Sequence, residues 1–223
     1  KVKEVYLLGR RGPAQAAFTP PEIKEVGEME DADVIVRPDE AELDDLSKET
    51  VASGAGRSVL KNVETLQGYA LRQPSGKSKK LVIRLLVSPV ELSGDAAGKV
   101  AKMRLVKNVL TKSESGSLNA IATDQFEEIP VGLVFRSVGY RGVALPEVPF
   151  HEKWGVILNE KGRVIDPESK QPLPGQYTAG WIKRGPSGVI GTNKPDAVET
   201  VNCMMEDLAE GKVLAPSQPE AKC

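Results

Sequence analysis

Arg10 and Arg11 are the first residues of this 223-residue chain whose types and placement suggest chemistry. They follow the apolar run Val5-Tyr6-Leu7-Leu8, which stops at Gly9 as a buried parallel strand would. Arginines just past the carboxyl end of such a strand stand where open α/β sheets bind nucleotides, and two guanidinium forks can grip a phosphate bidentately. A fold of that kind selects NADP over NAD from this position. An Arg-Arg pair in a loop is equally a feature of ordinary solvated surface, so the dipeptide alone leaves both readings open. The second candidate is the run from Trp181 to Gly191, where Gly185, Gly188 and Gly191 fall within seven residues and imply close approach of backbone to another group. The helix that follows would turn its free N–H groups and positive dipole end toward whatever the loop holds, which suits an anionic or electron-rich ligand.

The elements that must position these loops can be read coarsely. Pro20-Pro21-Glu22 can open a short helix, and Asp33-Val34-Ile35-Val36 reads as a strand closed by Pro38, which gives a β-α-β order. Residues 40 to 49 are acidic and helix-compatible, and Arg57 to Arg72 carries Val59, Leu60, Val63, Leu66 and Ala70 at helical spacing. Leu81 to Leu86 and Val100 to Leu110 read as an antiparallel pair, and Leu133 to Phe135 as a further strand. The prolines of Leu145-Pro146-Glu147-Val148-Pro149 mark a change of domain, and Tyr177 to Gly180 reads as a short strand. In the last helix Asn193 is expected to cap and Pro195 to sit in the first turn. Ala197, Val198, Val201, Met204, Met205 and Leu208 form one stripe, expected to face the core, before Gly211 stops the helix.

Composition narrows the chemistry further. Apolar residues make up 40% and charged residues 27% with a net charge of −1, which argues against disorder and against bulk nucleic-acid binding. Cys203 and Cys223 stand far apart and His151 is the single histidine, so a disulfide scaffold, a His-dependent triad and a metal centre are not expected. No apolar run reaches membrane-spanning length and no signal-peptide pattern opens the chain, so a soluble, cytoplasmic protein is expected, with the mitochondrial matrix as the alternative. Charge is segregated: residues 22–49 hold twelve acids and three bases, whereas residues 57–112 hold twelve bases and three acids. Such blocks are commonly solvated faces and can also steer a partner of opposite sign.

Three runs carry a resemblance: G-R-R-G-P-A-Q-A-A-F-T from Gly9, F-R-S-V-G-Y-R-G from Phe135, and G-W-I-K-R-G-P-S-G-V-I-G-T-N-K from Gly180. Together they resemble the adrenodoxin reductase family, particularly its bacterial ferredoxin:NADP reductases, from residue 1 to about 211. The resemblance implies a glutathione-reductase-like two-domain α/β flavoprotein that passes a hydride from NADPH to FAD and single electrons to an acidic, iron–sulfur ferredoxin. It covers only the C-terminal half, because neither a G-x-G-x-x-G FAD fingerprint nor the glycine motif opening the NADP domain occurs here. Residues 1–145 would then be an incomplete Rossmann-like NADP-binding domain, 146–211 the returning segment of the FAD-binding domain, and 212–223 a tail. The N-terminal half of the same enzyme becomes an expected partner.

By motif, Arg10 and Arg11 would hold the 2′-phosphate of NADP, with Glu22 joining that site. Trp181 would contact FAD, and Gly188, Val189 and Ile190 would run along it. No side chain is nominated as catalyst, since hydride chemistry belongs to the cofactors. Arg57 and Lys61, four residues apart, are the candidates for ferredoxin docking, followed by Lys77, Lys79 and Lys80. The alternatives are a subunit of an amidotransferase-type flavin enzyme or a non-catalytic binding module; a disulfide reductase is disfavoured because no C-x-x-C pair is present.

Overall fold

A computed structural model describes residues 2–114, 116–188 and 190–215, the Ile190 side chain excepted. The chain is of the α/β class and divides into two compact units, 1–135 and 136–223.

Unit 1 is built on a parallel sheet of β1 (Glu4–Leu8), β2 (Ala32–Val36) and β3 (Lys79–Arg84), with β3 in the middle. Three helical segments follow β1 and β2: α1 (Pro20–Val26), the short pair α2 (Pro38–Ala41) and α3 (Asp45–Ala52), and α4 (Arg57–Ala70). The acidic, helix-compatible stretch of residues 40 to 49 is divided between α2 and α3. Glu42 is extended and Asp44 caps α3 by accepting the Ser47 N–H at 2.7 Å. Ile23, Ala41, Leu66 and Tyr69 from the helices pack with Val36, Ile83 and Leu85, and Leu7 joins that side. Tyr6 and Leu8, alternating with Leu7, pack instead on Met103, Leu105 and Ile129 of a second sheet. Each fully buried large side chain in such a core contributes about 1.5–3 kcal/mol.

That second sheet is antiparallel, with β5 (Val100–Lys112) between β4 (Val87–Gly94) and β6 (Leu118–Pro130). The expected pairing of residues 81–86 with 100–110 is therefore replaced. Leu81 to Arg84 form the central parallel strand, and the partners of β5 are β4 and β6, neither of which the sequence reading identified. A continuous apolar run is what a strand covered on both faces requires. Leu133 to Phe135 is not a strand; Leu133 and Phe135 are exposed and carry no ladder pairing among the described residues.

Unit 2 holds β7 (Phe150–His151) with β8 (Val156–Ile157), and a three-stranded sheet in which β10 (Arg163–Ile165) lies between β9 (Asn159–Glu160) and β11 (Pro172–Tyr177). Two helices follow, α5 (Trp181–Arg184) and α6 (Asn193–Ala209). The strand expected over residues 177–180 ends at Tyr177. The stripe of α6 is turned the opposite way from expectation. Val198, Val201, Met204, Met205 and Leu208 are exposed, while Thr200, Cys203 and Asp207 are buried. Polar pairing holds the buried face: Arg163 donates to Asp207 at 2.8 Å and to the Cys203 carbonyl, Tyr177 Oη donates to Asp207, and Thr200 Oγ1 donates to the Thr178 carbonyl.

Candidate functional site

Arg10 and Arg11 leave the carboxyl end of β1, and both side chains are exposed. Neither guanidinium has a hydrogen-bond or ion-pair partner among the described residues, whereas the backbone beneath them is held at every carbonyl. Gly9 O accepts from the Val87 N–H at 3.2 Å, Arg10 O from Asn108 Nδ2 at 2.9 Å, and Arg11 O from the Leu86 N–H at 3.1 Å. The Gly9 N–H is also committed, to Arg84 O at 2.8 Å. Leu86 can reach the loop because it sits in the left-handed region at φ 55°, where the chain leaves the parallel sheet for the antiparallel one. The segment then turns at buried Gly12 and Pro13, and Gln15 donates to buried Ser47 at 3.0 Å. The result is two unneutralised cations on a fixed frame, which can receive a dianionic phosphate by charge-assisted, bidentate hydrogen bonds.

Glu22 lies in the first turn of α1. Its carboxylate accepts the Thr19 N–H at 2.7 Å and its own N–H reaches Thr19 Oγ1, a capping box that starts α1. The Thr19 N–H holds that carboxyl below its usual range.

Beside the carboxyl ends of β2 and β3 lies an ionic cluster, buried at Arg84 and Glu40 and exposed at Glu127, that is absent from the sequence reading. Arg84, at the end of β3, meets Glu40 at 2.7 Å and Glu127 at 2.8 Å, and Glu40 also accepts the Leu85 N–H. Burial works against the Arg84 charge, but the hydrogen bonds to Glu40 and Glu127 outweigh it and raise its pKa. No local sequence signal marks this trio, whose members are separated by more than forty residues.

At the opposite end of the parallel sheet, buried Asp33 accepts four hydrogen bonds from the turn after α4. They come from Ser75 N–H and Oγ and from the Gly76 and Lys77 N–H groups, at 2.6–3.0 Å. The Ser75 hydroxyl foremost, with the three backbone donors, lowers its pKa to about 2.

In unit 2, α5 and the loop that follows carry Trp181 and Gly188; Val189 lies outside the described residues, as does the Ile190 side chain. Trp181 is half exposed and its ring lies 5.6 Å from that of Tyr140, tilted by 32°. Gly188 sits at φ +79°, and a Cβ there would come within 2.5 Å of Thr192 Oγ1, so only glycine fits. The loop is fastened by side chains. Arg184 donates to the Ser187 carbonyl, to Thr192 Oγ1 at 3.0 Å and to Asn193 Oδ1 at 2.6 Å. Asn193 is therefore not the cap; Thr192 precedes α6 without a side-chain cap bond. Lys183 is buried against Asp196 at 3.2 Å and Glu199 at 2.7 Å. Burial opposes its charge, but hydrogen bonds to Glu199 and Asp196 prevail and raise its pKa. Asp196 also accepts the Gly180 N–H, which closes the loop at its start.

No protein-family model matches the chain. It is 43% identical over 211 residues, 95% of its length, to the NADPH-ferredoxin reductase FprA of Mycobacterium tuberculosis. It is 31% identical over 217 residues to the mitochondrial NADPH:adrenodoxin oxidoreductase of Arabidopsis thaliana. The structure of M. tuberculosis FprA in complex with NADPH superposes on 94% of the chain with a TM-score of 0.83 at 42% identity. The chain is thus a homologue of pyridine-nucleotide-dependent reductases. More closely, it is a homologue of NADPH-ferredoxin reductase FprA and of adrenodoxin-reductase-like proteins. It spans 44% of the FprA chain and 45% of the plant protein. Among the described residues, no helix is long and apolar enough to cross a membrane.

Proposed function

We propose that the chain is part of an FAD-dependent NADPH:ferredoxin oxidoreductase, in which unit 1 recognises the nucleotide and unit 2 lies along the flavin. The observation that carries this reading is the Arg10-Arg11 couple, unpaired among the described residues and exposed at the carboxyl end of a parallel strand on a backbone held at three successive carbonyls. Such a couple takes the 2′-phosphate that distinguishes NADPH from NADH. Glu22 serves that site by starting α1, and its capping box fixes the chain just beyond the arginine loop.

The residues of unit 2 fit a flavin: the half-exposed indole of Trp181 beside Tyr140 offers a flat apolar surface, and the backbone at Gly188 allows close approach. Trp181 and the segment 188–190 would hold the ring system, and Trp181 would exclude water from it. The chemistry a flavin supplies there is acceptance of a hydride and release of electrons one at a time. The functional division would follow the two units, with residues 1–135 as the nucleotide domain and 136–211 as flavin-side structure, so that the segment from 136 to the division expected at 145/146 goes with the flavin side, and 212–223 as tail. The polypeptide completing the enzyme would be the counterpart of the part of the relatives not represented here, and the location would be cytoplasmic.

An acidic ferredoxin would be the electron acceptor. Arg57 and Lys61, exposed one turn apart on α4, are the docking candidates, since Lys77 is bonded to the Met29 carbonyl while Lys79 and Lys80 are paired with Asp31 and Glu4. Charge reversal at Arg57 and Lys61 in the complete enzyme is expected to slow association with an acidic ferredoxin and flatten its salt dependence. Unchanged association rates at low salt would exclude this face.

The test of the central reading is the double change Arg10→Ala with Arg11→Ala, followed by titration calorimetry with NADPH and NADH. Each charge-assisted bond is worth about 1.5–3 kcal/mol, so NADPH binding should weaken about tenfold or more per arginine while NADH binding stays the same. Equal losses for both nucleotides would refute the assignment.

A further inference from the structure

The three carbonyls beneath the arginine pair are not held alike. Gly9 O and Arg11 O accept from backbone N–H groups of Val87 and Leu86, donors that a side-chain change leaves in place. Arg10 O, the middle one, depends on a side chain 98 positions away, the amide of Asn108. Asn108 is almost fully buried in the middle of β5, where asparagine is a poor strand former and a buried amide is costly unless bonded. Both hydrogens of Nδ2 are used, one on Arg10 O at 2.9 Å and one on Ser88 Oγ at 2.8 Å. The Asn108 N–H donates to Leu86 O at 2.6 Å, so the same residue also holds the left-handed turn that caps Arg11 O. The pairing of β5 with β6 slips between Val106 and Asn108, and irregularities of this kind commonly re-aim a side chain beside a functional site.

We infer that Asn108 is a positioning residue that sets the preference for 2′-phosphorylated nucleotides by fixing the Arg10 peptide group; this rests on the proposed role of Arg10 and Arg11. A bidentate guanidinium–phosphate contact tolerates little misplacement, and a loop already immobilised loses less freedom when the phosphate arrives. Without the amide, the Arg10 peptide is free to rotate and the two forks no longer share one geometry.

The experiment is titration calorimetry of the full chain with 2′,5′-ADP and with 5′-ADP, comparing Asn108→Ala, Asn108→Leu, Ser88→Ala and the Arg10→Ala/Arg11→Ala pair. Asn108→Leu keeps the branching at Cγ without the amide and serves if the smaller side chain prevents folding. Either Asn108 variant should lose about fivefold in affinity for 2′,5′-ADP with 5′-ADP unchanged, while Ser88→Ala, which leaves the Arg10 contact in place, should stay within about twofold. An unaltered ratio in both Asn108 variants, or an equal drop in Ser88→Ala, would overturn the inference while leaving the arginine site intact. Loss of preference absent even from the arginine double variant would instead overturn the site reading itself.

Discussion

The arginine loop of unit 1 and the glycine loop of unit 2 reverse the roles of backbone and side chain. In the first, carbonyls from Gly9 to Arg11 are anchored and the cationic side chains have no partner among the described residues. In the second, the cations Lys183 and Arg184 are consumed in holding the loop: Lys183 on Asp196, Glu199 and Thr200, Arg184 on Ser187, Thr192 and Asn193. A charge that has been paired within the fold specifies shape. A charge whose backbone has been fixed but whose head is free is available to a ligand.

The strongest way to break this comparison is Lys183→Met. It would leave the buried Asp196 carboxylate without its ammonium partner, and removing one member of a buried pair costs about 3–5 kcal/mol. Urea unfolding followed in unit 2 should show that loss. A change under about 1 kcal/mol would mean that Lys183 is not what fastens the loop.

A second contrast lies between the two ends of the parallel sheet, and acid sharpens it. Asp33 has its pKa depressed from 3.8 to about 2, so its stabilising contribution is fully present above about pH 4 and is lost as pH falls through about 2. Asp33→Asn should reduce stability at neutral pH and flatten the loss of stability between pH 4 and 2. An unaltered acid limb in thermal melts would show that the four donors from residues 75–77 do not act through this charge. The smallest effect is expected from Thr19→Ala, which removes half of the capping box and should cost about 1 kcal/mol in unit 1 and, by loosening the chain beside the arginine loop, lower the NADPH-to-NADH preference about twofold. An unaltered preference would separate the start of α1 from the recognition site.

The sequence made some of this readable and withheld the rest for identifiable reasons. β1 and β2 follow from continuous apolar runs closed by glycine or proline, α1 from its opening prolines, and α4 from apolar residues at helical spacing. β4 was hidden by Pro89 and its Ser and Gly residues, and β6 by polar residues on both faces, as suits strands at the rim of a sheet. The apolar stripe of α6 was visible, but not which face would be buried; that depends on Arg163, Tyr177 and Lys183, which come from other elements. Arg10 and Arg11 stood out as candidates because they follow a strand. Asn108, Glu40 and Arg84 did not, since their meaning lies in partners dozens of residues distant.

The carbonyl anchoring of the arginine loop also bears on how such a site can change over time. Every amino acid brings a main-chain oxygen, so substitution at positions 10 and 11 leaves all three acceptors in place and the loop keeps its course. On the proposed role of the two arginines, cofactor preference at this sheet edge would be separable from folding. Replacing the two arginines with acidic or neutral residues, with Asn108 retained, should yield descendants that keep the scaffold and accept a different nucleotide, which makes the edge a region of high evolvability inside an otherwise constrained unit.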